Sequence, residues 1–447
     1  MKKVQRGDRK LYYFCVPMNR EIIRLALPNI LTNLTVPMLG MVDMYLMGHQ
    51  DSVQYMGAVA LGAVIFNFVY WGFAFLRMSI SGIAAQSYGR DNQQEMTLVL
   101  QRGLLLALLG GLLLLIFQIP LANFSFWLLD GTTEVKMIAK EYFYVRIWAA
   151  PAAILLMVFY GWFLGMQNAV YPMVIAIIVN VVNIIASFIF VRYFNMQAKG
   201  VALGSVLGQY SGLVLAIVLY FKTYSWTFPF YTFRIKPLVN KMGQLMNVSG
   251  DIFIRTICII AVFTFFTSYS AGMGDVTLAV NSALLQYVLL FSYFLDGFAY
   301  AAEALVGKFY GGNDQTKQSM AVKRLLYWGL GFAVIFTLLY ATTGDFLLSI
   351  FTDQESVILE GRKYLLWLIF MPLISFASYI WDGVFIGMTA SRAMRNSVLF
   401  SSIGFFFLPF YLLHSIMGNH AIWLAMFLFM GARSFSLTWM YSPAVKE

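Results

Sequence analysis

Apolar stretches recur along the whole chain, separated by short loops rich in Lys and Arg, as in Leu104–Ile119, Met173–Val191 and Leu399–Ile416. A helix needs roughly 20 mostly apolar residues to cross the hydrocarbon core of a bilayer. By that measure about twelve spans are expected. Six lie near 25–47, 56–84, 100–120, 143–165, 169–191 and 200–221, and six near 247–271, 277–306, 324–343, 363–388, 397–416 and 420–441. An all-α membrane protein follows, because in lipid a helix satisfies its own backbone groups.

The two sets of spans repeat. Tyr88-Gly89-Arg90-Asp91-Asn92-Gln93 answers Tyr310-Gly311-Gly312-Asn313-Asp314-Gln315, with 310 − 88 = 222. Gly161-Trp162-Phe163-Leu164-Gly165-Met166 answers Gly383-Val384-Phe385-Ile386-Gly387-Met388 at the same offset. Twelve transmembrane helices in two pseudo-symmetric six-helix bundles around a central cavity are therefore expected. The bundles should occupy 1–221 and 247–447, joined by a cytoplasmic linker, 222–246, that carries Pro229 and Pro237. An even number of spans per half makes the repeats parallel, the arrangement of transporters whose bundles rock around a site at mid-membrane.

Composition supports a bilayer environment. Of 447 residues 60% are hydrophobic and 11% charged, against about 25% charged in soluble domains. The formal charge of +10 gathers in alternate loops, which marks the cytoplasmic side. Both termini are thus expected inside, with no nucleic-acid partner. The localisation expected is the bacterial inner membrane, and the first apolar segment reads as an uncleaved anchor. Cys15 and Cys258 give no disulfide framework, and His49, His414 and His420 show no metal-ligand spacing. Neither a phosphate-binding loop nor a hydrolytic triad is evident, so an enzyme is not expected and no cofactor is required.

Chemistry is sought where polar groups lie inside spans. An ionised carboxylate at the bilayer centre costs about 2.5–3.5 kcal/mol even on lenient scales, so such groups face the bundle interior and usually have a task. Asp43 lies deep in the first span, between Val42 and Met44 and beyond Pro28 and Pro37. Burial disfavours the charged form of a carboxyl group, so this acid is read as a proton carrier. The alternative is a permanently protonated hydrogen-bond donor. Each proline removes a backbone hydrogen bond, so a kink or hinge is expected in this helix. Asn180, Asn183 and Ser187 share a helical face, with Ser205 on the next span. They form either a polar network around Asp43 or interhelical glue. In the second half Asp296 and Glu303 share a face, and Asp382 lies on the tenth span. These three acids are candidates for a second proton site or a cation-binding site, or they pair and cap locally. Asp251 and Arg255 have the spacing of a helical ion pair.

At these residues the chain resembles the multidrug and toxic compound extrusion family, in its DinF-like branch. The carrying stretches are LALPNILTNLTVPMLGMVDMYLMGH (25–49), FLDGFAYAAEALVGKFYG (294–311) and DGVFIGMTASRAMRNS (382–397). The resemblance implies a V-shaped cavity and export of varied, often cationic, organic compounds in exchange for H⁺ or Na⁺. It puts the coupling acid at Asp43, the bending proline at Pro28 and the fifth-helix asparagine at Asn183, while the sixth-helix threonine falls on Ser205, a conservative departure. Ser187 stands where many members have a second acid, which favours H⁺ over Na⁺ as coupling ion. Met38, Met41, Phe66, Tyr70, Phe291 and Tyr293 are the expected cavity lining, since aromatic and thioether walls accept flat apolar cargo. A monomer is expected. The rivals are a flippase for lipids or lipid-linked sugars, disfavoured because the intramembrane charges read as acidic, and a non-transporting scaffold or sensor.

Overall fold

In the computed structural model, twelve helices are long and apolar enough to cross a membrane. The structure describes residues 5–50, 52–224 and 238–444, without the side chains of 5–17, 36–37 and 442–444. Pro229 and Pro237, most of the expected linker, and the side chains of Cys15 and Pro37 lie outside the described residues. Among these residues no strand occurs. The spans are Met18–Gly48, Val53–Gly89, Gln93–Ile116, Thr133–Gly165, Val170–Arg192 and Gln197–Thr223, then Met242–Gly272, Asp275–Gly311, Gln315–Phe351, Leu365–Gly387, Ser391–Met417 and Asn419–Tyr441. All twelve expected spans are present, and most run further into the loops than apolarity alone suggests.

Breaks within spans follow proline. The third helix stops at Ile116, and a short helix, Gln118–Leu128, restarts with Pro120 in its first turn. The fourth span passes through a 3₁₀ turn, Ile147–Ala149, just before Pro151. The eleventh contains a π-helical stretch, Ser402–Phe407, just before Pro409. Proline offers no N–H and crowds the preceding turn, so the ladder re-registers locally. By contrast the first helix, Gln5–Gly48, stays continuous through Pro28 and Pro37.

Two compact units emerge. One comprises residues 31–249; the other comprises 1–30 with 250–447. This differs from the expected division, which placed 1–30 in the first bundle. The reason is local: Gly297 of the eighth span lies against Ile30 and the carbonyl of Ala26, and Trp328 Nε1 donates to Asn19 Oδ1 at 3.4 Å. Within the unit 31–249, Ser79 and Ser249 hydroxyls meet at 2.9 Å. Arg102 donates to the Leu238 carbonyl at 3.0 Å and to Glu95 at 2.7 Å.

Each unit repeats the packing of the other. In the unit 31–249, Gly161 lies against the Arg77 carbonyl and Gly165 against the Ser81 carbonyl. In the other unit, Gly383 meets the Ala299 carbonyl and Gly387 the Glu303 carbonyl. Every contact is displaced by the same 222 positions. A Cβ at Gly165 or Gly387 would stand 2.8 Å from those carbonyl oxygens, so only glycine lets the backbones approach. The loop anchors repeat as well. Asp91 and Asn313 adopt left-handed φ of 52° and 54°, which Asp and Asn tolerate. Asn92 and Asp314 then cap the third and ninth spans, each accepting a backbone N–H at 3.0 Å.

Candidate functional site

Asp43 is buried, with 7% of its surface exposed. Its helix presents Leu46 and Met47 to an apolar cluster that includes Phe66, Tyr142 and Phe143, with Val42 and Tyr70 against its edge. Oδ1 of Asp43 is buried and meets no hydrogen-bond donor among the described residues. The cation nearest to hand is Arg146, held over the rings of Phe66 and Tyr142 in the cluster that Val42, Leu46 and Met47 of the first helix join. Arg146 ends the first helix of the fourth span. Its guanidinium lies 5.2 Å from the Phe66 ring centre and 5.4 Å from that of Tyr142, and it donates to the Tyr142 hydroxyl. Tyr70 also lies in its field, with a buried hydroxyl unpartnered among the described residues. The sequence reading missed Arg146. Its signal was available: an ionisable residue inside an apolar span is functional by default.

The fifth and sixth spans carry a separate polar group. Asn183 Nδ2 donates to Ser205 Oγ at 3.1 Å, and Ser187 Oγ donates to Asn183 Oδ1 at 3.1 Å. All three are buried. The close approach depends on Gly204 and Gly208, which lie against Ser187 and Asn183. Among the described residues these bonds join the fifth and sixth spans, and no hydrogen bond runs from the group to Asp43. Asn180, on the same helix, is half-buried and outside it.

In the unit that holds 250–447 two buried acids, Asp251 and Asp382, are neutralised by arginines. Arg433 donates to Asp382 Oδ2 at 2.7 Å, and Arg255 donates to the same oxygen. Asp251 accepts from Arg395 at 2.5 Å and from Ser391 at 2.7 Å. The expected Asp251–Arg255 pair is therefore corrected: each member finds a partner on another helix, where geometry is better. The expectation of purely acidic intramembrane charge is corrected with it, since Arg255 and Arg433 are both buried. Glu303 is fully buried and Asp296 half-buried, and both engage neighbouring groups. Tyr379 lies in the field of Asp296, Asp382 and Arg433.

The expected lining residues divide. Met38 and Met41 are exposed, at 61% and 69%. Phe66 stacks on Phe143 at 5.3 Å, and Phe291 packs edge-on to Phe336 at 5.3 Å. Both rings are fully buried core. Tyr70 and Tyr293 are half-buried.

The family profile described as MatE matches residues 28–189 and 252–412, once in each repeat. DNA damage-inducible protein F of Escherichia coli is 32% identical over 95% of this chain and 92% of its own. A probable multidrug resistance protein NorM of Shewanella oneidensis is 25% identical over 90% of each chain. The crystal structure of the Vibrio cholerae MATE transporter VcmN in its bent form superposes with a TM-score of 0.84, covering 97% of this chain and 98% of that one at 16% identity. At that identity the likeness speaks for the fold.

Proposed function

The chain belongs to the MatE family, and from that premise we propose a secondary active exporter of organic, often cationic, compounds, driven by protons through Asp43. One observation carries this reading. Asp43 is a buried carboxyl inside a membrane span, with an oxygen that meets no donor among the described residues and a cation on the ring cluster its helix packs against. A group so placed changes its interactions when it gains or loses a proton. The relative NorM is a probable multidrug resistance protein, which supports the cargo class. We place this chain in the bacterial inner membrane, and the excess of Lys and Arg in alternate loops supports cytoplasmic termini.

The cycle follows from charge. Facing outward, Asp43 takes up a proton, loses its attraction for cationic cargo, and the helix bends near Pro28. Facing inward it releases the proton, and the carboxylate binds cargo again. One pH unit supplies about 1.4 kcal/mol per proton, and 100 mV adds about 2.3 kcal/mol. The sum of about 3.7 kcal/mol sustains a few-hundred-fold gradient of neutral cargo. Na⁺ is the weaker candidate: a metal ion beside Asp43 would meet the charge of Arg146, and Ser187 adds no carboxylate.

A flippase for lipid-linked sugars is the second reading, favoured by the buried guanidiniums of Arg255 and Arg433. Their shared engagement with Asp382 reduces the charge they offer to a phosphate. Dye efflux in inverted vesicles tests the proposal, with an imposed pH gradient and then a Na⁺ gradient. Efflux driven by pH and lost in Asp43→Asn supports it; efflux undiminished in that variant rejects it.

A further inference from the structure

One permanent charge at this site has no task in the cycle above. Arg146 is half-buried in the fourth span, over rings that pack against Val42, Leu46 and Met47, the neighbours of Asp43 on the first helix. An arginine serving structure alone would be expected to lock onto a carboxylate, as Arg433 does on Asp382. Arg146 makes no such contact among the described residues. It rests instead over the Phe66 and Tyr142 rings, at 5.2 and 5.4 Å, and on the Tyr142 hydroxyl. Ring faces hold a cation through their quadrupole more weakly than a carboxylate does inside a membrane. An ionised carboxylate nearby would therefore be the stronger partner for this guanidinium.

We propose that Arg146 is the positioning residue of the coupling site: a tethered cation that shares the Asp43 carboxylate with the proton and with cationic cargo. The inference rests on Asp43 being the proton carrier. When Asp43 is ionised and the site is empty, Arg146 neutralises it, so no bare charge sits in the hydrocarbon. When a cationic cargo takes the carboxylate, the arginine retreats to the rings. When a proton then neutralises Asp43, two cations face each other with no anion between them, and cargo is expelled. Arg146 thereby couples proton uptake to release. Among the described residues few titratable groups face it. Tyr70 comes from the second span and Tyr142 from its own helix, while Glu141 and Lys199 pair with each other at the exposed rim, 3.3 Å apart.

The test is the pH profile of ethidium efflux by the purified full chain in proteoliposomes, with melting curves as a check of folding. Removing the charge in Arg146→Gln lets Asp43 hold its proton to higher pH, so the half-maximal pH moves upward by about one unit. Arg146→Lys, which restores charge without the planar fork, recovers most of that shift. Tyr142→Phe removes a single hydroxyl from the resting place and frees the arginine for Asp43, so its midpoint moves downward. An unchanged midpoint in folded Arg146→Gln overturns the proposal. If that variant does not fold, an unchanged midpoint in Tyr142→Phe does so. Asp43→Asn is run alongside: pH-driven efflux surviving there defeats the carrier reading itself, whatever the arginine variants show.

Discussion

Asp382 and Arg433 meet at 2.7 Å across 51 residues of chain, on the oxygen that Arg255 also holds. The three side chains tie the seventh, tenth and twelfth spans together. Removing the carboxylate leaves two buried guanidiniums uncompensated, and breaking a buried pair costs about 3–5 kcal/mol. Asp382→Asn is therefore expected to melt well below wild type. The protein that does fold should keep the wild-type pH midpoint of efflux if, as its pairing with Arg433 and Arg255 suggests, Asp382 serves as a counter-ion. A shifted midpoint with unchanged melting would assign it the opposite role.

Gly383 and Gly161 occupy equivalent crossings, each against a backbone carbonyl that cannot yield as a side chain could. Gly383→Ala should cost about 1–3 kcal/mol through overpacking. Gly331→Ala, where a Cβ meets nothing within 4 Å, should instead stabilise by roughly 0.5–1 kcal/mol, since alanine suits a helix interior better. Melting temperatures of the two variants in one detergent decide the matter.

Asn183 and Asn180 look alike in sequence but differ in the fold. Only Asn183 bridges two spans, giving to Ser205 and taking from Ser187. Asn183→Ala is expected to lose about 1 kcal/mol, and Asn180→Ala close to none. Chemical denaturation in mild detergent measures the difference.

Asp314 and Asn92 cap equivalent helices, but only one can titrate. Hydrogen bonds from the Lys317 side chain, and then from its backbone N–H, hold the Asp314 carboxyl below its ordinary range. A group depressed in the folded state contributes above its unfolded value and loses that contribution as pH falls through its folded value. Amide protection at the start of the ninth span, corrected for intrinsic exchange, should thus drop at acid pH. Asp314→Asn keeps a capping side chain like that of Asn92, so its protection should stay flat with pH.

Much of this architecture is legible in the chain itself. The constant offset between Gly161/Gly165 and Gly383/Gly387 reflects one packing solution used twice, and glycine there is demanded by backbone approach. Asp43 is legible because an acid inside an apolar run carries a large cost. Arg146 is harder to see: Tyr142, Phe143, Tyr144 and Val145 before it, and Ile147 and Trp148 after it, absorb one cation into an apolar average. Partners of Asp382 are harder still, since a pairing across 127 residues with Arg255 exists only once three helices have packed. The spacing of Asp251 and Arg255 pointed to a local pair, and tertiary geometry offered each a better one.

On the proposed cycle the Asp43 carboxyl gains and loses a proton over the working pH range. Infrared difference spectroscopy of purified wild type and Asp43→Asn, titrated stepwise in lipid, observes this group directly. A protonated-carboxyl band that grows as pH falls in wild type and is missing from the variant is the result expected. A titration identical in both proteins would contradict the account.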